Sequence, residues 1–360
     1  MTNRGIQGEY LPHQGTLIMY PFRGDIWRDG AKHIRAYILD LVEKISAREI
    51  AYLIVDPSHE QEVRHLESPS VKIIPLEYDD IWIRDTAPTF VHDKGSVFCL
   101  DWRFNAWGGK KEGAFYPWRS DNNLAGNLGA YFGLPVRKPP VTLEGGAILS
   151  DGNGTLFTTR SVVLNRNRNV FRLRELIEPL LKLYTKMDQV VWLDKGLYMD
   201  ETNGHIDNMM SVINANTLCL AWTDNPKSPN YDRVRSAYNV LKNARDVDGK
   251  PYEIVQMPLP EIPPRTQAEA DAVEKNPKAL ERKCGDVLPA TYLNFYHLNN
   301  AVLFPVFDCV TDAQALSIIR GLFPEKEILP VYSREPLLGG GGLHCLLHEV
   351  PVLPSENGSV

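Results

Sequence analysis

A short β-rich run, an amphipathic helix and a second β-rich run recur in that order five times along the chain. The first unit predicts a strand over residues 16–20 and a helix over 31–46, with Ile34, Ile38, Leu41, Val42 and Ile45 on one face. Strands over 49–55 and 71–77 follow. The second unit places a strand at 95–102 and a helix at 121–132 that Gly126 and Gly129 weaken. The third has a strand at 155–159, a helix near 171–186 and a strand at 190–193; Pro179 should kink that helix or mark its start. The fourth runs from a strand at 217–222 through a helix at 232–243, lined inside by Val234, Ala237, Tyr238 and Leu241, to a strand at 252–256. The fifth runs from 301–307 through a helix at 312–322, with Thr311 and Gln314 as a capping box, to 328–332. Units averaging about 72 residues point to a propeller or array. The repetition lies in pattern and not in residue identity, so a plain alternating α/β fold also satisfies it. Residues 258–283, rich in proline and charge, read as a partly helical excursion between units four and five.

Composition narrows the function classes. A chain of 360 residues, 43% hydrophobic and 23% charged, is that of an ordinary globular protein. No apolar run approaches the roughly 18 residues needed to span a bilayer, and residues 1–5 lack the apolar stretch of a signal peptide. The expectation is a cytoplasmic protein with no membrane partner. The five cysteines are odd in number and form no CxxC pair, which argues against a disulfide framework or zinc cluster. A formal net charge of −6 argues against a nucleic-acid partner and suits a cationic ligand.

Four polar segments follow the closing strands of units one, two, three and five: Trp82-Ile83-Arg84-Asp85-Thr86-Ala87-Pro88, Leu143-Glu144-Gly145-Gly146, Glu201-Thr202-Asn203-Gly204-His205-Ile206-Asp207 and Gly339-Gly340-Gly341-Gly342-Leu343-His344-Cys345. A circular array would bring these ends onto one face, with Asp85, Glu144, His205, Asp207 and Cys345 together. Taken singly, each segment has an ordinary reading: a surface ion pair at Arg84-Asp85, a turn at Glu144-Gly145-Gly146, a hydrogen-bonded pair at His205 and Asp207. Strand alternation would put His205 and Asp207 on one face. The glycine run is costly to order and points to close backbone approach. His344, Cys345 and His348 fit no standard zinc spacing. Taken together, the residue types are those of a covalent site. A thiolate is a strong nucleophile, and a histidine can protonate a leaving group and then deprotonate water. Carboxylates beside a thiol raise its pKa and suit ordinary acyl transfer poorly. They suit a guanidinium, whose planar N–H groups match carboxylates in paired hydrogen bonds.

These segments, with Tyr78-Asp79-Asp80, Asp101-Trp102-Arg103-Phe104-Asn105-Ala106-Trp107-Gly108-Gly109, Tyr116-Pro117-Trp118, Leu164-Asn165, Asn167-Arg168-Asn169, Ala221-Trp222-Thr223-Asp224 and Asn294-Phe295-Tyr296, resemble the agmatine deiminases, also described as bacterial-type peptidylarginine deiminases. The resemblance spans about residues 10–351. It implies one domain over residues 1–360 with the five-bladed α/β propeller (pentein fold) of the guanidino-group-modifying superfamily. It implies that Cys345 attacks the guanidinium carbon, that Asp85 and Asp207 grip the guanidinium nitrogens, that Glu144 and His205 handle protons, and that Trp82 lines the pocket. Agmatine would give N-carbamoylputrescine and ammonia through a thiouronium intermediate. No metal or organic cofactor is implied, and propellers of this family often form homodimers. The chain departs from the family pattern at Ala87 (usually Gly), Gly342 (usually Asn), Leu346-Leu347-His348-Glu349 (usually Ile-Thr-Gln-Gln), Tyr20 and Tyr10 (each usually Trp). These positions bear on substrate preference and turnover. Free arginine, a peptidyl or methylated arginine, or a binding-only role toward a polyamine-like cation are the alternatives. An arginine deiminase would need a cation at the far end of its pocket, for which Arg103 and Arg334 are candidates.

Overall fold

The computed structural model describes residues 4–353; residues 1–3, part of the leaderless start expected above, lie outside the described residues, as do 354–360. The β-rich runs fold into five small sheets. Four hold three strands each: Thr89–Asp93 with Ser96–Leu100 and Val136–Arg137; Ile148–Ser150 with Thr155–Thr159 and Gln189–Leu193; Met210–Asn214 with Thr217–Trp222 and Glu253–Pro258; Tyr296–His297 with Ala301–Val306 and Glu327–Tyr332. In each, the first pair is antiparallel and the second parallel. The remaining sheet has four strands in the order Leu347–Pro351, His13–Met19, Ile50–Val55, Val71–Pro75. Its antiparallel strand comes from the C-terminal end of the chain, pairing Leu17 with His348, so the two ends of the fold are sewn together.

Each parallel pair requires a crossover, and the amphipathic helices supply it. Lys32–Ser46 buries Ile34, Ile38, Leu41, Val42 and Ile45, the face read from the sequence. Arg119–Tyr131, Arg174–Thr185, Tyr231–Leu241 and Asp312–Leu322 fill the same place in the other units. Inward positions of the strands are nearly all buried: Leu17, Ile18 and Met19 are fully enclosed, as are Leu53, Ile54 and Val55. Such strands read as continuous apolar runs because both faces are covered.

Some details differ from the sequence expectation. Thr311 makes no cap to its helix; its hydroxyl is taken by Tyr292 Oη at 2.8 Å. The capping box is at Thr266 and Glu269, starting the helix Gln267–Asp271 inside the proline-rich excursion. A buried tyrosine competing for Thr311 is a tertiary event that the local pattern does not carry. The third crossover helix begins at Arg174, so Pro179 does not mark its start. In the fourth, Val234, Ala237 and Leu241 are buried while Tyr238 is only partly so. No helix of the described residues is long and apolar enough to cross a membrane.

Ile38, fully buried on its helix, tests whether this packing is as tight as the burial indicates. Ile38→Ala is expected to destabilise the fold by about 3 kcal/mol in denaturant unfolding, because the cavity adds to the lost transfer energy. A change under about 1 kcal/mol would show that the crossover helix relaxes onto the sheet.

Candidate active site

Just before the antiparallel strand of four of the sheets, the chain makes a short helical turn. Ile83–Thr86 carries Asp85, Gly145–Ala147 follows Glu144, Ile206–Met209 carries Asp207 behind His205, and His344–Leu346 carries Cys345. A fifth segment, before Tyr296–His297, carries Asn294. Sequence reasoning assigned no site residue to this segment because the long excursion displaces it from its closing strand. The segment 204–207 is also not a strand: His205 is extended and Asp207 lies in a one-turn helix. The two side chains still converge, through the turn and not through strand alternation.

The convergence is visible at Gly146. A Cβ built there would lie 2.7 Å from His205 Nδ1 and 2.9 Å from both Asp207 Oδ2 and Asp85 Oδ1. Any side chain at this position would fill the space where those three groups meet. Its N–H instead donates to Asp85 Oδ1 at 2.9 Å, and Trp107 Nε1 donates to Asp85 Oδ2 at 2.8 Å. Glu144 and Arg168 are both fully buried, with Nε donating to Oε1 at 2.5 Å. The other Glu144 oxygen faces His205 Nε2 at 3.3 Å. Cys345 Sγ lies 3.8 Å from Asp207 Oδ2, and it is approached by Asn294 Nδ2 and the Gly342 N–H, each at 3.5 Å. Asp207 Oδ1 is buried without a hydrogen-bond partner.

The electrostatics follow from crowding carboxylates in a dry interior. Burial, with Asp207 and Glu144 adding to it, pushes Asp85 up to about 6. Burial also pushes Glu144 upward, but Arg168 and His205 outweigh it and hold the carboxyl below its usual range. Burial would lower His205, yet Asp85 and Glu144 raise it to about 9. The Cys345 thiol is driven well above its ordinary value by burial and then by Asp207 and Asp85. Without a cation, the site holds a protonated thiol and an imidazolium.

Cys345 and Asp85 face a narrow pocket walled by Trp82, Trp107, Phe115 and the backbone of Gly339, Gly340 and Gly341. The glycine run packs closely: a Cβ on Gly341 would meet the Trp82 ring at 2.5 Å, and one on Gly342 would meet Asn294 Oδ1 at 2.2 Å unless that side chain shifted. Glu201 and Arg282 stand in the same pocket, paired with each other. Neither was singled out from the sequence. Arg334 is tied to Glu269 at 2.8 Å and Arg103 is exposed, so neither candidate cation is in the pocket. Of the departures from the family pattern, Gly342 stands at the nucleophile, whereas Tyr20, Tyr10 and His348 lie apart from the pocket. Tyr20 hydrogen-bonds Glu62 at 3.0 Å, Tyr10 bonds the Asp151 carbonyl at 3.0 Å, and His348 Nε2 meets the Pro88 carbonyl at 3.1 Å. The remaining cysteines are free, Cys99 and Cys219 buried, Cys309 partly buried and Cys284 exposed.

His205 and His344 both titrate near 9, above the ordinary 6.5, because carboxylates face them. A raised folded-state value stabilises fully below the unfolded value and is lost as pH rises through the folded one. The melting temperature of the ligand-free protein is therefore expected to fall between pH 6.5 and about 9. His205→Gln should flatten part of that fall; an identical pH dependence in the variant would contradict the assignment.

The description "Porphyromonas-type peptidyl-arginine deiminase" belongs to the family whose profile matches residues 6–351. The agmatine deiminase of Pseudomonas putida is 39% identical over 351 residues, covering 95% of this chain and 94% of that protein. That of Pseudomonas syringae is 37% identical over 357 residues, covering 97% and 95%. The solved structure of the agmatine deiminase of Enterococcus faecalis, described as catalysing its reaction, superposes with a TM-score of 0.92 at 29% identity, covering 97% of this chain and 96% of that one. The match over nearly all of the chain, together with the geometry above, places it in the Porphyromonas-type peptidyl-arginine deiminase family.

Proposed function

We propose that the protein hydrolyses agmatine to N-carbamoylputrescine and ammonia through a covalent bond to Cys345. The observation that carries this reading is the pair of buried carboxylates, Asp85 and Asp207, beside one thiol, with Asp207 Oδ1 left without a partner. A planar guanidinium supplies the missing donors and the missing positive charge. Its arrival lowers the cost of a thiolate, so the nucleophile is activated by its own substrate. As the guanidinium binds, the thiol proton leaves to solvent, and the thiolate Sγ attacks the central carbon to form the C–S bond. His205, an imidazolium held by Glu144 and Asp85, gives its proton to the departing nitrogen, and the C–N bond breaks to release ammonia. The thiouronium carbon then takes up water, whose proton goes to the now neutral His205. Collapse breaks the C–S bond, returns the thiolate, passes the hydroxyl proton to solvent and leaves the ureido product. Glu144, fixed by Arg168, holds the histidine in place through both steps.

The outer part of the pocket supports agmatine over arginine. Its arginine, Arg282, spends its guanidinium on Glu201 and on the Gly339 carbonyl, and is only 4% exposed. Glu201 lines the same pocket and is 29% exposed, and we place the far end of the substrate against its carboxylate. An ammonium suits that end, whereas an α-carboxylate would meet like charge. The ring of Trp82 offers an apolar and cation-tolerant wall. Each of the five sheets contains an antiparallel pair followed by a parallel pair, and the C-terminal strand completes the four-stranded one. We read them as five blades around a common axis, with the active site where the five turns meet.

Three outcomes test the reading. Purified protein given agmatine, arginine and a blocked arginyl peptide should release ammonia and ureido product from agmatine; preference for another guanidine would move the substrate, and turnover of none would sink the activity. Cys345→Ala should abolish turnover while agmatine still binds by calorimetry. Asp85→Asn and Asp207→Asn should each lower kcat/KM roughly 30- to 150-fold, the equivalent of about 2–3 kcal/mol for one charge-assisted contact.

A further inference from the structure

Behind the nucleophile, outside the substrate pocket, four charged side chains lie in a row. Arg84 Nη1 is 3.1 Å from Glu9 Oε1, and Glu9 Oε2 is 2.8 Å from His344 Nε2. His344 Nδ1 is 3.0 Å from Asp207 Oδ2, the oxygen that faces Cys345 Sγ. All four are buried or nearly so, Glu9 being the most open at 17%. The backbone of His344 is also fixed, its N–H donating to Asn294 Oδ1 at 2.8 Å.

An ionised carboxylate accepts hydrogen bonds and donates none. An imidazole with a carboxylate at each nitrogen therefore carries both protons. The row alternates in sign: Arg84 positive, Glu9 negative, His344 positive, Asp207 negative. We propose that Glu9 is a positioning residue that locks His344 as an imidazolium, and that this fixed cation offsets Asp207 so that Cys345 ionises when a guanidinium enters. The proposal rests on the deiminase reading above and adds two residues, neither of which touches the pocket. Asp207 has to be anionic to grip the substrate, yet its charge opposes a thiolate at the same oxygen. A cation on its other side relieves that conflict.

The groups facing His344 support a static role. Arg84, from the turn Ile83–Thr86, opposes a charge on His344, while Glu9 and Asp207 favour it; the balance raises His344 to about 9 against burial. Tyr296 and His297, from the strand beneath, add no positive charge. Tyr296 is driven above its usual range, and His297 is pushed down to about 3 by burial and Lys326. Glu349 and His348 face Arg84 and Glu9 from the C-terminal strand, where burial holds His348 down at about 4. Burial pushes Glu9 upward, but Arg84 and His344 hold it far below the usual carboxylate range. It therefore does not take up the histidine's proton, and the row is a charge ladder and not a proton relay.

The test is the pH dependence of Cys345 alkylation by 2-chloroacetamidine, a small guanidinium-like cation, measured beside agmatine turnover. In the intact protein both rates should persist up to about pH 9, the value at which His344 loses its proton. In Glu9→Gln, His344 should lose a proton near its ordinary value. Both rates should then match the parent within about twofold at pH 6 and fall at least about tenfold by pH 8.5. Glu9→Asp should restore the alkaline limb. Nitrogen-15 NMR should show both His344 nitrogens protonated at about pH 8 in the parent and one in Glu9→Gln. A neutral His344 in the parent, or a Glu9→Gln loss equal at every pH, would overturn the proposal. Alkylation and NMR decide it even if agmatine is not turned over, so failure of the substrate reading shows separately.

Discussion

Like charges packed around a buried thiol set the terms for the rest of the site. Asp85, Glu144 and Asp207 are each nearly or fully enclosed, and burying a carboxylate is unfavourable unless it is paired. The fold answers each one differently. Glu144 has a fully buried arginine. Asp85 has the Trp107 and Gly146 N–H groups. Asp207 has His344 on one oxygen and nothing on the other. The one unsatisfied oxygen lies on the residue that faces the thiol, which is where a substrate cation does most.

Bringing five backbone turns this close requires residues with little volume. Gly146 lies where Asp85, His205 and Asp207 meet, and Gly341 lies against the Trp82 ring. Rigidity comes from the sheets behind them, whose strands and crossover helices are buried along their length. The turns are too short to be stable helices alone. Each is held between the parallel strand before it and the antiparallel strand after it. The first sheet draws its antiparallel strand from the C-terminal end, directly after Cys345. The position of the nucleophile is thus tied to the pairing of the chain's two ends.

The elements most legible in the sequence were those built from local periodicity. The buried face of the helix Lys32–Ser46, the extent of the helix Asp312–Leu322, and the strands Thr155–Thr159 and Thr217–Trp222 follow from apolar spacing alone. Patterns whose partners are distant were read less well. Thr311 has the sequence of a cap but gives its hydroxyl to Tyr292. The segment at His205 alternates like a strand but turns, because Asp200 and the Thr202 hydroxyl accept the His205 N–H. Arg168 and Asn294 were visible as motif residues without a task. Nothing near them in the chain names Glu144 or Cys345 as the partner.

The sequence by itself determined the α/β repeat, the chemical types at Asp85, Glu144, His205, Asp207 and Cys345, and the inference that a cation is wanted among them. Those depend on side-chain chemistry and on spacing within a unit, and both are local. The tertiary structure alone decided which oxygen of Asp207 stays unpaired, that Arg282 is already spent on Glu201, and that His344 stands between two carboxylates. These are matters of contact distance between segments as far apart in the chain as Glu9 and His344. Burial converts such distances into charge states, and burial exists only once the sheets and helices have packed together.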